Sequence, residues 1–187
     1  MKSKNKSKNK IISILIPSRN RYKLLKECLY SIFNSVHNIA NVEIIVRLDD
    51  DDPSLKKYFK KIDLLSHLSV KVIKGERYGY SRVTTYFDEM IPLSKGDIIL
   101  PFSDDSFIWD HPSCKGWEVD LEKFRGKKLL IRSKSLPMFT RSFYKEMGKF
   151  SQLTCAFDTG LPGIAKAKGM YIDYKCIICT QEIHGTD

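Results

Sequence analysis

The chain lacks the sequence signatures of a membrane protein and of several common enzyme classes. Its 187 residues contain no run approaching the ~18 consecutive apolar residues that a membrane-spanning helix needs. The P-loop G-x-x-x-x-G-K-[ST], the dinucleotide motif G-x-G-x-x-G, the metalloprotease motif H-E-x-x-H and the hydrolase motif G-x-S-x-G are all absent. A phosphate-bearing ligand would therefore have to be held by a metal ion and side chains instead of a glycine-rich loop.

Cysteine is scarce, with five residues scattered along the chain. No secretion signal is expected, because the apolar stretch 11–16 is too short for a signal-peptide core and lacks a small-residue cleavage site. We therefore expect reduced thiols and a cytoplasmic protein. Cys176 and Cys179 have the spacing of half a zinc knuckle, but no second pair follows. The surrounding run YIDYKCIICT is typical of a buried strand, so we expect both to pack in the core.

Positive charge is concentrated at the start of the chain. The formal net charge is +10, and five lysines within residues 1–10 supply half of it, which leaves +5 for residues 11–187. Residues 1–10 have no apolar side chain after Met1, so we expect a disordered basic tail with weak attraction to an anionic membrane surface. No specific contact with nucleic acid is expected. Residues 11–187 are long enough to form one domain with a sizeable core.

Residues 11–102 alternate between short apolar runs and amphipathic stretches. The apolar runs, typical of buried strands, are 11–17, 42–48, 70–73 and 97–102. Apolar residues at helical spacing lie between them, from Leu24 to Val36, from Leu55 to Leu65 and from Tyr80 to Ile91. Alternating strands and helices are the signature of a parallel sheet with helices on its faces. We therefore expect an α/β fold with a central, mostly parallel sheet flanked by helices.

The pattern is weaker after residue 103. Residues 127–133 and 171–180 are predicted to be strands, and residues 140–147 and 164–168 are predicted to lie in helices. Glycine follows both helical stretches, as is common where a helix ends. No internal repeat or long linker divides the chain, which favours a single domain.

Three polar clusters directly follow predicted strands. PSRNR (17–21) ends the first strand, DDDD (49–52) the second and SDDS (103–106) the fourth. In an open parallel sheet, ligands bind at the carboxyl ends of the strands, so the predicted topology brings the three clusters together. Two acidic clusters beside a basic one suit an anionic ligand held through Mg²⁺ or Mn²⁺, since carboxylates supply hard oxygen ligands to such ions.

Several aspartates of the chain also have a purely structural interpretation. Asp52 precedes a proline at a predicted helix start and is expected to act as an N-cap. Asp104 and Asp105 can form an Asx turn, and Asp158 can cap the helix that follows it. The carboxylates at 49–51 are not needed for a cap, and turn chemistry alone does not explain three of them at one strand end.

Five segments occur in a characteristic order. They are ISILIPSRNRYKLLKECLYSIF, VEIIVRLDDDDP, KGDIILPFSDDSF, LPMFTRSFYKEMGKF and FDTGLPGIAKAKGMYIDYKCIICTQEIHGTD. In their order and spacing, which extend over most of residues 11–187, they resemble the family 2 glycosyltransferases with the GT-A fold. The resemblance implies a GT-A-like nucleotide-binding fold and transfer of a sugar from a nucleotide diphosphate sugar, with a UDP-sugar as first choice. The acceptor would be a hydroxyl of a glycan or another molecule, and the anomeric carbon would be inverted.

The resemblance also implies which residues bind the nucleotide. Pro17, Ser18, Arg19 and Arg21 would line the nucleotide pocket. One of Asp49, Asp50 and Asp51, with Asp50 as the central choice, would bond a uracil-type base.

Further roles concern the diphosphate and the reaction. SDDS would be the metal-binding motif, with Asp105 on a Mn²⁺ or Mg²⁺ ion, Asp104 beside it, and Arg19 or Arg82 assisting at the diphosphate. The family motif is usually Asp-x-Asp, whereas Ser103 stands in its first place here, which leaves open which carboxylate binds the metal. Asp158 matches the base that deprotonates the acceptor, and His184 matches a histidine that often completes the metal site.

Two other functions remain open at this point. A sugar-1-phosphate nucleotidyltransferase also combines an α/β nucleotide fold with paired carboxylates, but such enzymes normally have a glycine-rich loop after the first strand. PSRNRYK contains no glycine. A non-catalytic domain of the same fold could instead bind a glycan or, through the basic tail, a nucleic acid.

Overall fold

The computed structural model describes residues 11–62, 70–109, 115–133, 136–174 and 180–182. The expectations for the basic tail and for Cys176, Cys179 and His184 fall outside these residues. Within them, no helix has both the length and the apolar character needed to cross a membrane.

The first half of the chain alternates strands and helices as predicted. Its elements are β1 (Ile12–Ser18), α1 (Tyr22–Ser35), β2 (Val42–Asp49), α2 (Leu55–Ile62), β3 (Val70–Gly75), α3 (Val83–Met90) and β4 (Ile98–Pro101). Short 3₁₀ turns at 80–82 and 91–93 flank α3. The observed third helix is therefore shorter than the stretch from Tyr80 to Ile91 that predicted it.

The second half departs further from the prediction. Its elements are β5 (Ser106–Ile108), α4 (Trp117–Asp120), β6 (Leu130–Ser133), β7 (Leu136–Thr140), α5 (Arg141–Met147), α6 (Gly160–Ala167), β8 (Tyr171–Asp173) and β9 (Thr180–Glu182). The predicted strand 171–180 is wrong as one element, because β8 and β9 lie in different sheets. The sequence patterns also missed β5, β7 and α4, each of which has five residues or fewer.

A seven-stranded sheet organises the molecule, in the order β3-β2-β1-β4-β7-β6-β8. β1 lies between β2 and β4 and pairs in parallel with both, and β3 pairs in parallel with β2. Among the described strands of this sheet, β7 pairs antiparallel with both of its neighbours, β4 and β6, while β8 pairs in parallel with β6. β5 and β9 form a separate two-stranded antiparallel sheet. The expected mostly parallel α/β architecture is confirmed.

Both faces of the central sheet are covered, which explains the continuous apolar runs. Ile14 of β1 belongs to a core cluster shared with Leu25 and Leu29 of α1, whereas the next residue, Leu15, belongs to a cluster shared with Phe87 and other residues of α3. Successive side chains of a strand point to opposite faces, so both neighbours can be buried only if helices cover both sides. This arrangement leaves the carboxyl ends of the parallel strands as the place where polar side chains collect.

Candidate functional site

The three polar clusters lie together at one edge of the sheet. β1 is flanked by β2 and β4, so residues 17–21 lie between residues 49–52 on one side and 103–106 on the other. We call these three stretches the polar edge. The expected convergence of the clusters is confirmed, and each outer cluster is bonded to an arginine of the central one.

The β4 side of the polar edge is built around Asp104. Ser18 Oγ donates a hydrogen bond to Asp104 Oδ2 at 2.7 Å. Arg21 Nη1 lies 3.3 Å from Asp104 Oδ1 and 2.7 Å from Asp105 Oδ2. The Ser103 hydroxyl donates to the Asp105 carboxylate. These carboxylates therefore bind the loop after β1 instead of only closing a local turn.

The two carboxylates differ in burial. The side chain of Asp104 is 6% exposed and that of Asp105 is 28% exposed. Burial raises the pKa of Asp104, while the hydrogen bond from Ser18 and the charge of Arg21 act in the opposite direction. Asp104 is thus anchored in the protein, and Asp105 is the member of the pair that a ligand can reach.

Tyr58 of α2 also contacts the β4 side of the polar edge, a role that the sequence did not predict. Its hydroxyl lies 3.1 Å from Ser18 Oγ and accepts a hydrogen bond of 3.0 Å from Arg21 N. Burial raises the pKa of this hydroxyl. Tyr58 lies within the predicted amphipathic stretch from Leu55 to Leu65, and its ring is buried as that pattern indicates. Its polar contacts depend on the tertiary fold.

On the β2 side, Arg19 is held by two aspartates. Arg19 Nη1 lies 3.3 Å from Asp49 Oδ2, and the guanidinium also bonds the Asp51 carboxylate. The Asp50 amide donates to the Gly75 carbonyl at 2.9 Å. The Asp50 side chain is exposed and has no hydrogen-bond partner among the residues that the structure describes.

Asp52 fixes the loop after β1 to the start of α2. Its Oδ1 accepts from Ser54 N at 2.7 Å, and its Oδ2 accepts from Asn20 N at 2.9 Å. Ser54 Oγ donates to Asn20 Oδ1 at 2.6 Å, and Asn20 has a positive φ of 53°. The expected N-cap role is wrong, since α2 begins at Leu55 and Asp52 closes an Asx turn before it.

A buried arginine lies directly behind this side. Arg47 of β2 is 1% exposed, and its guanidinium bonds Asp49, Glu89 and the Glu76 carbonyl. Its register partner on β1 is Pro17. Reasoning from sequence missed Arg47 because it lies in the apolar run VEIIVRL, although a charged residue within such a run was itself a signal.

A cavity of about 410 Å³ opens between the start of α3 and residues 150–157. Its lining includes Arg82, Thr84, Ser151, Cys155 and Phe157. The Arg82 guanidinium stacks on the Tyr78 ring at 5.0 Å, and the Arg47 guanidinium lies 5.3 Å from the centroid of the same ring. The cavity wall at Arg82 is therefore connected to Asp49 of the polar edge through Tyr78 and Arg47.

Asp158 lies beside this cavity and not within the polar edge. It is exposed, in the turn that precedes α6, and its neighbour Phe157 lines the cavity. Thr159 occupies the N-cap position of α6 without a side-chain hydrogen bond, so the alternative that Asp158 caps this helix is wrong. No hydrogen-bond partner for the Asp158 carboxylate occurs within the described part of the chain.

The residues present can supply part of a metal site. Among the described residues, no group of three or more His, Cys, Asp and Glu side chains could hold a metal ion. Asp104 and Asp105 offer hard oxygen donors beside one another, and Mg²⁺ is commonly held by one or two carboxylates together with substrate phosphates. The donor set therefore fits a divalent cation that binds together with a phosphate-bearing ligand.

Comparison with known proteins gives one family and one fold. The sequence model of glycosyl transferase family 2 matches residues 13–112, just over half of the 187-residue chain. A search of curated proteins gave no significant match.

Three solved structures illustrate the likeness in fold. The mannosyltransferase PcManGT from Pyrobaculum calidifontis, in complex with GDP-Man and Mn²⁺, has a TM-score of 0.75 and 12% identity over 94% of this chain and 57% of that one. TarS 1-349 from S. aureus has a TM-score of 0.60 and 17% identity over 79% and 52% of the two chains. The glycosyltransferase GlyE from Streptococcus pneumoniae TIGR4 has a TM-score of 0.57 and 11% identity over 89% and 46%. The chain thus has the GT-A fold and spans about half the length of these proteins.

Proposed function

The chain belongs to glycosyl transferase family 2, and we propose that it transfers a sugar from a nucleotide diphosphate sugar to an acceptor hydroxyl. The observation that carries this proposal is the polar edge, where three polar clusters meet at the carboxyl ends of β1, β2 and β4. Ligands of open α/β sheets bind in this position. Arginines and carboxylates side by side suit a ligand that combines anionic phosphates with a hydrogen-bonding base.

A UDP-sugar is the proposed donor. Its nucleotide would lie against residues 17–21, with Pro17, Ser18, Arg19 and Arg21 lining the pocket. Asp49, Asp50 and Asp51 end β2, and a carboxylate there can accept the N3–H of uracil. Asp50 is the preferred partner because its carboxylate is exposed, while Arg47 and Arg19 already bond Asp49.

Guanosine diphosphate sugars are the competing donors. A carboxylate can also accept the N1–H of guanine, and the two families of donors differ mainly in base size. The PcManGT structure contains GDP-Man, whereas one structure of TarS 1-349 contains UDP. A test of the donor must therefore include both nucleotides.

The diphosphate is proposed to bind on the β4 side together with Mn²⁺ or Mg²⁺. Asp105 would hold the ion, with Asp104 beside it and His184 as a further ligand. When bound, the ion supplies positive charge that stabilises the departing diphosphate. Arg21, which already bonds both carboxylates, and Arg82 of the cavity are proposed to bind phosphate oxygens and add to this charge.

Asp158 is proposed to take the proton from the acceptor hydroxyl. An inverting displacement needs a base on the acceptor side of the sugar. Asp158 is exposed, has no partner within the described residues, and lies next to the cavity wall at Phe157. The cavity volume of about 410 Å³ is within the range of small-molecule sites, so it can hold a sugar unit between Arg82 and this carboxylate.

The test is a panel of nucleotide sugars and nucleoside diphosphates with and without Mn²⁺. We expect UDP or GDP with Mn²⁺ to raise the Tm, and the matching nucleotide sugar to be hydrolysed slowly in the presence of the metal. No stabilisation by any nucleoside diphosphate with any divalent metal would overturn the proposal. Release of pyrophosphate from a nucleoside triphosphate and a sugar phosphate would identify a nucleotidyltransferase instead, and binding without turnover would identify a non-catalytic domain.

A further inference from the structure

Arg47 is an exception within the apolar strand β2. Its side chain has no exposed surface, and burial of a charged group is costly unless that group is paired and hydrogen-bonded. The guanidinium bonds the Asp49 carboxylate and the Glu76 carbonyl, and its Nε donates to Glu89 Oε2 at 3.1 Å. These partners come from β2, from the loop after β3 and from α3.

The surroundings of Arg47 are shaped for this side chain. The guanidinium carbon lies 4.4 Å from the centroid of the Tyr86 ring and 5.3 Å from that of Tyr78. Both distances are within the range of cation–π contacts. A Cβ at Gly75 would lie 2.8 Å from Arg47 Nη2, so a larger residue there would displace the guanidinium.

Tyr86 connects the same carboxylate to the loop after β3. Its hydroxyl donates to Asp49 Oδ1 at 3.1 Å and accepts from the backbone amides of Tyr78 at 2.8 Å and Gly79 at 3.0 Å. Tyr78 in turn donates from its hydroxyl to Glu89 at 2.6 Å. The loop therefore has its position set by the groups that hold Asp49.

This network reaches both parts of the candidate site. Asp49 holds Arg19 of the polar edge, and the loop after β3 continues to Arg82, which lines the cavity and stacks on Tyr78. Arg47 is not part of the cavity lining, and its bonds to the described residues do not include the carboxylates of Asp50 and Asp51. An effect of Arg47 on a ligand would therefore pass through Asp49, through the loop, or through Glu89 of α3, the helix whose first residues line the cavity.

We propose that Arg47 and Tyr86 are positioning residues that fix Asp49 and residues 76–82 as one unit, so that the same contacts set the nucleotide pocket and the cavity wall at Arg82. This inference rests on the proposed function, because it takes the polar edge as the nucleotide site. It adds two residues that hold the site without contacting the ligand.

The test uses the mildest change as its main variant. Tyr86→Phe keeps the ring and removes only the hydroxyl that bonds Asp49, Tyr78 N and Gly79 N. We expect about tenfold weaker binding of UDP or GDP with Mn²⁺ by calorimetry, since a bond to a charged group is lost. Hydrogen exchange followed by mass spectrometry should show faster exchange of residues 78–79, and this second result does not require a nucleotide.

Arg47→Lys, Arg47→Met and Arg141→Met complete the series. Arg141, the first residue of α5, is half-buried and bonds the carbonyls of Ile91 and Gly96 and the Ser94 hydroxyl. These partners precede β4, away from the polar edge at its carboxyl end. We expect Arg47→Met to lose more nucleotide affinity than Arg47→Lys. Arg141→Met should lower the Tm to a similar extent as the Arg47 variants and leave the nucleotide Kd within twofold of the wild type.

The outcomes separate the two proposals. If the wild type binds no nucleoside diphosphate, the proposed function fails, and the exchange of residues 78–79 in Tyr86→Phe still shows whether the network fixes the loop. If the wild type binds but Tyr86→Phe and both Arg47 variants bind equally well, the positioning role is wrong. Equal losses of affinity in Arg141→Met and Arg47→Met would likewise overturn it, since they would reflect stability alone.

Discussion

The polar edge and the surroundings of Asp158 are built in opposite ways. In the polar edge, Ser18, Arg19 and Arg21 bond carboxylates of both neighbouring strands, and Asp104 is almost fully buried. Asp158 is exposed, and within the described ranges of the chain its carboxylate bonds nothing. The first region is held together by hydrogen bonds and ion pairs within the protein, whereas the second has a carboxylate with no bond to the described residues.

This difference matches the two tasks of the proposed reaction. A donor with a diphosphate must be held in one orientation, which fixed charges achieve without reorganisation. A general base must contact a hydroxyl that arrives with the acceptor, so its carboxylate cannot be engaged in a bond to the protein. Substitutions in one region at a time show whether the other region is affected.

The largest effect is expected from Asp158→Asn. Loss of the base should slow sugar transfer by about 10²–10⁴-fold, measured as kcat with a saturating donor. The Kd for the nucleoside diphosphate and the Tm should remain close to those of the wild type, because the carboxylate is exposed and bonds none of the described residues. A parallel loss of nucleotide affinity would show that the two regions are not separate.

Asp52→Ala is expected to have the opposite profile. The change removes the acceptor for Asn20 N and Ser54 N, which should lower the free energy of unfolding by about 1–3 kcal/mol in urea denaturation. The neighbouring variant Asp51→Ala is the control. Asp51 is 53% exposed, and among the described residues its side chain pairs only with Arg19, so its removal should cost less than about 1 kcal/mol. Equal costs for the two variants would contradict the account of this turn.

The polar edge could be predicted from the sequence because each part of it follows a strand directly. Apolar runs located β1, β2 and β4, and the rule for ligand sites in parallel sheets then placed 17–21, 49–52 and 103–106 together. The individual contacts were not predictable. Whether Asp52 caps a helix or closes the turn before it depends on where α2 begins, and helix boundaries are not fixed by apolar spacing.

The region around Asp158 could be found only through the family resemblance. No apolar pattern identifies β7, which inserts antiparallel into the sheet, or separates β8 from β9. Strands of three residues give too little alternation to be recognised. The network of Arg47, Tyr86 and Tyr78 was missed for a related reason, since its members come from β2, α3 and a loop that meet only after folding.

Arg82→Met tests the link between the two regions. The substitution removes a positive charge from the cavity wall but keeps an apolar side chain, and it should lower kcat/KM by about tenfold by weakening the contact with the diphosphate. Arg77→Met is the matched control, because Arg77 belongs to the same loop, is exposed and does not line the cavity. An equal loss in both variants would indicate a general effect of charge instead of a contact at Arg82.

The smallest effect concerns the pH dependence of stability in Asp104→Asn. Burial raises the pKa of Asp104 in the folded protein, so the folded state binds this proton more tightly than the unfolded state. The stability that the Asp104 carboxyl contributes therefore increases as the pH falls from neutral to about 4, the ordinary pKa of an aspartate. The wild type should gain stability relative to Asp104→Asn over this interval in thermal melts. A relative loss would mean that Ser18 and Arg21 outweigh burial.

The central claim is that the β4 side of the polar edge binds a diphosphate through a divalent cation at Asp105. Calorimetric titration of UDP and GDP, with and without Mn²⁺, tests it in the wild type, in Asp105→Asn and in the control Asp120→Asn. Asp120 is the last residue of α4, which begins directly after Gly116. The Gly116 amide donates to the carbonyl of Ser35, the last residue of α1, so α4 lies at the end of α1 that is remote from residues 17–21. The account predicts Mn²⁺-dependent binding in the wild type and in Asp120→Asn, and loss of that dependence in Asp105→Asn. Binding that depends on Mn²⁺ equally in all three proteins would contradict it.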